Sequence, residues 1–173
     1  STQAIMTESG VSAAEIKAIG ISYQMHGLVC VDKNQHVLRP AIIWCDSRAV
    51  PYGQKAFETI GEERCLSHLL NSPGNFTASK LAWIKENEPE TFEKTYKWLD
   101  AKEYLTCRAT GNMIASIDDA GGTFLYDVHN KCWSKTLCKM LDIDMKHLPD
   151  LCESTDEVGK LLPKAAEELG LAP

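Results

Sequence analysis

No apolar run approaches the ~18 residues that a membrane span needs, and the first residues show no charged segment leading into an apolar one. Cytosol is therefore the expected compartment. Basic charge is scarce: 18 Lys and Arg face 24 Asp and Glu, a net charge of -6 with both signs mixed along the chain. That balance offers no basic stripe for a phosphate backbone, so neither nucleic acid nor a membrane surface is an expected partner. Patterned cysteine is also missing. Cysteines at positions 30, 45, 65, 107, 132, 138 and 152 include no Cys-x-x-Cys and no Cys/His spacing suited to zinc, which reads as reduced thiols and no metal centre. The chain contains no Gly-x-x-x-x-Gly-Lys-Ser/Thr, Gly-x-Gly-x-x-Gly, Gly-x-Ser-x-Gly or His-Glu-x-x-His. A self-contained nucleotide site, a serine hydrolase and a zinc peptidase are thus unsupported. Internal repeats and low-complexity linkers are absent too, and the glycosylation triplet Asn75-Phe76-Thr77 is a chance match in a cytosolic chain.

What is present suits an α/β protein. A chain of 173 residues, 44% hydrophobic and 24% charged, fits one domain with a real core, two small lobes being the alternative. Ser12-Ala13-Ala14-Glu15 has capping-box spacing, and Ile16 to Ser22 reads as a strand. Leu28 to Asp32 and Val37 to Trp44 read as a hairpin around Asp32-Lys33-Asn34-Gln35, with Pro40 marking a bulge or edge. From Ser47 the spacing turns helical, with Ala56, Phe57 and Ile60 on one face before Gly61; Leu81, Trp83 and Ile84 mark a helix ending near Pro89. Asp100 to Glu103 is a capping box for a helix through Tyr104, Leu105 and Arg108 that stops at Gly111. Ile114 to Ser116 and Phe124 to Val128 read as strands joined by the small-residue turn Asp118 to Thr123. Ser134 caps a helix through Leu137 and Leu141, and Pro163 opens a last helix ending at Gly170.

The chemistry concentrates in Gln24-Met25-His26-Gly27 and in Ala41 to Arg48, both read as strand ends, where an α/β fold exposes side chains to a small polar ligand. Each candidate has a plainer reading. His26 is a ligand-binding imidazole or a satisfied structural histidine. Trp44 stacks on the carbon face of a sugar or, more commonly for such a residue, fills the core. Asp46 with Arg48 is a functional pair or a local salt bridge and helix cap. Asp118 and Asp119 beside Gly121-Gly122 hold a cation or phosphate, or form a solvated turn, the commoner case.

These motifs, in their order, resemble the FGGY-type carbohydrate kinases and specifically their pentulose branch. The resemblance runs from Ile19 to Gly27, through Val37 to Trp44 with Asp46 and Arg48, and Gly74 to Ile84. It continues in Glu103-Tyr104-Leu105, Thr110-Gly111, Asp119 to Thr123, Asp127-Val128, Trp133-Ser134, Leu148-Pro149, Glu153-Ser154 and Val158-Gly159, so it covers nearly the whole chain.

The resemblance implies the N-terminal lobe of a ribonuclease-H-like (actin-like ATPase) fold, incomplete, with added helices and short strands. It implies ATP-dependent phosphorylation, with Mg, of a ketopentose: D-xylulose to its 5-phosphate, with ribulose or a related ketose as the alternative. Met25, His26 and Gln24 would bind the sugar, with Trp44, Asp46 and Arg48 on the same lobe and Asn75 and Phe76 facing the pocket. Tyr23 replaces a small residue and Cys45 an asparagine, and both bear on substrate choice; Asp100-Ala101-Lys102 in place of a Pro-Lys-Asp run reads as a capping change only. The family's phosphate hairpin, its general-base aspartate, expected beyond Pro173, and its C-terminal ATP lobe have no counterpart in the sequence. The expectation is a partial sugar-binding lobe over residues 1–173, without a catalytic residue, inactive alone and binding neither ATP nor Mg well. A non-catalytic sugar-binding or interaction module, dimerising through open strand edges, is the alternative of another class. A ribonuclease-H-like nuclease would need clustered carboxylates, which are missing.

Overall fold

The computed structural model describes residues 2–173, beginning with α1 (Thr2–Ser9), a helix that buries none of its side chains. The Ser12 capping box forms as expected, with Glu15 Oε2 accepting from the Ser12 main chain at 2.9 Å and from its hydroxyl at 2.7 Å, but it opens only one 3-10 turn. The expected strand at Ile16 to Ser22 does not form; the segment is irregular, with Ile16 and Ile19 exposed. β-Branched residues favour extended backbone, but a strand persists only where a neighbour satisfies its N–H and C=O groups. No described residue takes that place.

β1 (Val29–Val31) is buried on both faces. Its alternation sorts Leu28 and Cys30 into the main core and Val29 and Val31 into a smaller one with Leu99 and Cys107. The expected hairpin is reduced to two antiparallel bridges, Leu28 to Ile42 and Val31 to Val37. Pro40 lacks the N–H that a continuous ladder would use. β1 pairs instead with the distant β2 (Lys97–Leu99), which the sequence reading missed.

The helices follow their punctuation. In α2 (Val50–Ile60) Pro51 sits in the first turn and Gly61 ends the helix at φ 94°. After α3 (Glu62–His68), α4 (Thr77–Asn87) buries Leu81 and Ile84, and α5 (Pro89–Lys94) leads into β2. α6 (Ala101–Thr110) starts at the Asp100/Glu103 capping box and stops at Gly111, left-handed at φ 84°. Leu105, however, is exposed.

β3 (Ile114–Ser116) runs into α7 (Ile117–Gly121), which replaces the expected turn at Asp118 to Thr123. Asp118 and Asp119 fall in its first turn, where carboxylates suit the helix dipole. The second expected strand shrinks to β4 (Tyr126–Asp127), paired with β5 (Cys132–Trp133). Ser134 caps α8 (Lys135–Met140) by accepting from the Leu137 amide at 3.3 Å. β6 (Asp150–Cys152) pairs in parallel with β3, and α9 (Pro163–Leu169) ends at Gly170. Among the described residues no helix is long and apolar enough to cross a membrane.

Candidate functional site

The antiparallel bridge between Leu28 and Ile42 carries the geometry of the site, because it brings residues 24–27 and 43–48 out at the same end of one short ladder. Neither segment ends a regular strand, as was expected; each flanks that single bridge. The Trp44 amide donates to Gln24 Oε1 at 3.3 Å, joining the two segments directly. Asn75, from the turn before α4, adds a third side by donating through Nδ2 to the carbonyls of Trp44, at 3.1 Å, and Asp46. That double donation fixes the amide's orientation and leaves Oδ1 facing inward, shielded from solvent and without a partner.

His26 stands at the centre of the group at φ 63°, a left-handed conformation that costs an L-residue roughly 1–2 kcal/mol. Its ring stacks on Phe76, centroids 4.1 Å apart and planes 11° from parallel. Nδ1 lies 2.8 Å from the Gly122 carbonyl oxygen. A carbonyl only accepts, so Nδ1 carries the proton and Nε2 presents a lone pair. Burial holds the ring's pKa below 6.5, outweighing the Gly122 bond that raises it, and the Lys80 charge adds to the lowering. The imidazole is therefore neutral at pH 7. The lack of a side chain at Gly122 permits this contact, since a Cβ there would stand 3.1 Å from the ring.

Met25 and Trp44 are exposed, Trp44 at 61%. The tryptophan is thus outside the core. Asp46 caps the turn Ser47–Ala49 and also holds Arg48 through both carboxylate oxygens, at 2.9 and 2.7 Å. The Arg48 guanidinium lies over Trp83 at 4.8 Å, and its bonds lower the Asp46 pKa. The pair thus forms a local ion pair and cap beside Trp44.

Beneath the surface lies a layer that the sequence reading missed. Lys80 is completely buried, and its ammonium donates to the carbonyls of His26 and of Asn75, the latter at 2.6 Å. Burial pushes its pKa down to about 8 against the opposing pull of Asp100 and Asp46. Asp100 is 1% exposed, accepts from Thr77 Oγ1 at 3.1 Å and from the Tyr23 hydroxyl at 3.4 Å, and faces the His26 amide. Burial raises its pKa, and these donors oppose the rise. Asp100 is more than the capping change expected of it, and Tyr23 turns its hydroxyl inward to it. One signal was available: Lys80 shares the helical face of Thr77, Leu81 and Ile84, where a charge is out of place.

Lys102 pairs with Asp119 and donates to Ser116 Oγ at 2.8 Å, tying α6 to the helix that leads to Gly122. Asp118 bonds Ser154. Both acidic residues of the Gly-Gly segment are therefore engaged within the protein, and among the described residues no group of three or more His, Cys, Asp or Glu could hold a metal ion. An open cavity of about 370 Å³ lies away from this site beside Lys97, Trp133 and Met145. Two of the lysines that line it are already engaged: Lys97 donates to the carbonyls of Lys146 and Leu148, and Lys146 pairs with Asp144. The His26 cluster is set apart by its chemistry: a stacked imidazole with one ring nitrogen fixed, beside an exposed indole.

Such a cluster, with a neutral imidazole and an exposed indole on an α/β lobe of the actin-like, ribonuclease-H-like kind, defines the class structurally. Residues 1–173 match the N-terminal domain of the FGGY family of carbohydrate kinases, and the chain belongs to that family. The xylulose kinase of Bacillus subtilis is 40% identical over 172 residues, an alignment covering 96% of this chain and 34% of that protein. That of Escherichia coli is 38% identical, covering 93% and 33%. The crystal structure of a xyloylose kinase from Brucella ovis superimposes with a TM-score of 0.88 at 30% identity, over 99% of this chain and 35% of that one. The chain spans about a third of the length of these relatives.

Proposed function

We propose that this lobe binds the ketopentose D-xylulose in a kinase that phosphorylates it with ATP, and that His26, Met25, Gln24, Trp44, Asn75 and Phe76 form one wall of the sugar pocket. The observation that carries this reading is His26: a neutral imidazole pinned through Nδ1 to Gly122, with Nε2 free to accept from a hydroxyl. A polyol is recognised by directional hydrogen bonds together with an apolar surface against its carbon face. Trp44 and Met25 supply the surface. Asp46 and Arg48 act on the frame and not on the sugar.

ATP, bound with Mg, supplies the phosphoryl group. The acidic residues described here do not converge on a metal site, so no step involving the nucleotide, the metal or the general base is assigned to them. What this chain contributes is orientation: holding the sugar so that one terminal hydroxyl points to the phosphoryl donor is a large part of catalysis in phosphoryl transfer. The xylulose kinase names of the similar bacterial proteins support xylulose over ribulose. Calorimetric titration of the protein carrying this chain with D-xylulose, D-ribulose and glycerol tests the reading. Xylulose should bind tightest and lose affinity in His26→Ala; equal affinity for the three, or none lost on substitution, would sink it.

A further inference from the structure

We propose that Lys80, backed by Asp100, is a positioning residue of the sugar pocket: it holds the main chain of His26 and Asn75 in place and so aims the imidazole. This rests on reading the His26 cluster as the sugar site. Lys80 has no exposed surface, and its ammonium reaches two carbonyl oxygens in different segments of the cluster, that of His26 before β1 and that of Asn75 before α4. An ammonium is expensive to bury, while a methionine of similar length would fill the same space cheaply. The acceptors it serves account for its presence.

His26 needs such support. It is in a left-handed conformation with the peptide groups on either side turned toward the interior, where unpaired carbonyls are costly. Lys80 satisfies the carbonyl, and the Asp100 carboxylate faces the amide. Thr77 and Tyr23 in turn hold the carboxylate, and the Asp100 main chain donates to Glu103 at the start of α6. Held this way, the ring lies flat on Phe76 and meets Gly122. Without the ammonium, residue 26 relaxes toward ordinary backbone angles and the ring leaves both contacts.

The test uses Lys80→Met and Asp100→Asn in the protein carrying this chain, with histidine labelled by ¹⁵N. Ring nitrogen shifts report the tautomer of His26, and calorimetry reports D-xylulose affinity. In the unaltered protein the ring should be the Nδ1–H tautomer. In folded Lys80→Met it should become a mixture of tautomers while Kd rises roughly ten-fold or more; Asp100→Asn should move both readouts the same way by less. A general loss of stability would not change the tautomer of the molecules still folded. Retention of the Nδ1–H tautomer and of affinity in folded Lys80→Met overturns the inference, and so does failure of both variants to fold, which would make the pair structural only. A tautomer change with no xylulose binding by any form would uphold the positioning role and reject the sugar site. Loss of binding in His26→Ala with an unmoved tautomer in Lys80→Met would do the reverse.

Discussion

At the scale of single residues, the protonation of His26 makes a prediction about pH. Protonation at Nε2 turns an acceptor into a donor, so affinity for D-xylulose should fall on the acid side of pH 6.5, as burial and the Lys80 charge hold the folded-state pKa below that value, and should fall again above about 8 as Lys80 loses its proton. The same depression has a sign for stability: the folded protein binds this proton less readily than the unfolded chain. The contribution of His26 is thus complete above 6.5 and is lost as pH falls through the folded value. Calorimetry at a series of pH values checks the first part, and an affinity that rises on acidification below pH 6.5 would contradict it. Trp44 separates binding from folding in a second way. At 61% exposure, Trp44→Ala should change unfolding free energy by no more than about 0.5 kcal/mol in a urea titration while weakening xylulose binding.

Among elements, the close approach of α2 to the turn before α4 is the most demanding contact. A Cβ on Gly53 would stand 1.8 Å from the Gly74 carbonyl oxygen, and backbone cannot swing aside as a side chain can. Gly53→Ala should therefore destabilise the protein by about 3 kcal/mol and weaken sugar binding, since the displaced turn carries Asn75. Ser134→Ala removes a helix cap remote from the pocket; it should cost about 1 kcal/mol and leave affinity unchanged. Urea titrations with calorimetry on both variants distinguish the two. Five helices, α2, α4, α6, α8 and α9, were legible in the sequence because their ends are written locally, in Gly61, Gly111, Ser134, Pro163 and Gly170, whereas α1, α3 and α5 were not read. Strands were legible only in part: β3 forms at Ile114–Ser116 and β1 within Leu28 to Asp32 as read, but pairing was not, since β1 takes its partner from β2, far along the chain, and Ile16 to Ser22 had the right composition without a neighbour. The acidic small-residue run at Asp118 read as a turn because Gly and Asp favour turns, and the bonds of Ser116, Asp119 and Lys102 that hold it as a helix are tertiary. The site divides along the same line. His26, Trp44 and Asn75 were visible as motif residues; Lys80 and Asp100 were not, as their roles follow from being buried together.

For the molecule as a whole, the seven thiols report where the surface lies. Cys45 and Cys132 are exposed, Cys152 is intermediate, and Cys30, Cys65, Cys107 and Cys138 are buried; burial raises Cys30 and Cys138 to about 11. With a thiol reagent at pH 8, Cys45 and Cys132 should react first and the four buried groups only on unfolding. D-Xylulose should slow Cys45 and spare Cys132, as mapped by peptide mass spectrometry; equal protection of both would place the sugar elsewhere. One last feature reaches beyond this substrate. Lys80 grips carbonyl oxygens, which every amino acid carries, and so takes no account of which side chains stand at positions 25, 44 and 75. The hold on residues 26 and 75 thus rests on atoms common to all residues, and the exposed side chains of Met25 and Trp44, which among the described residues neither Lys80 nor any side-chain hydrogen bond uses, can be exchanged without loosening it.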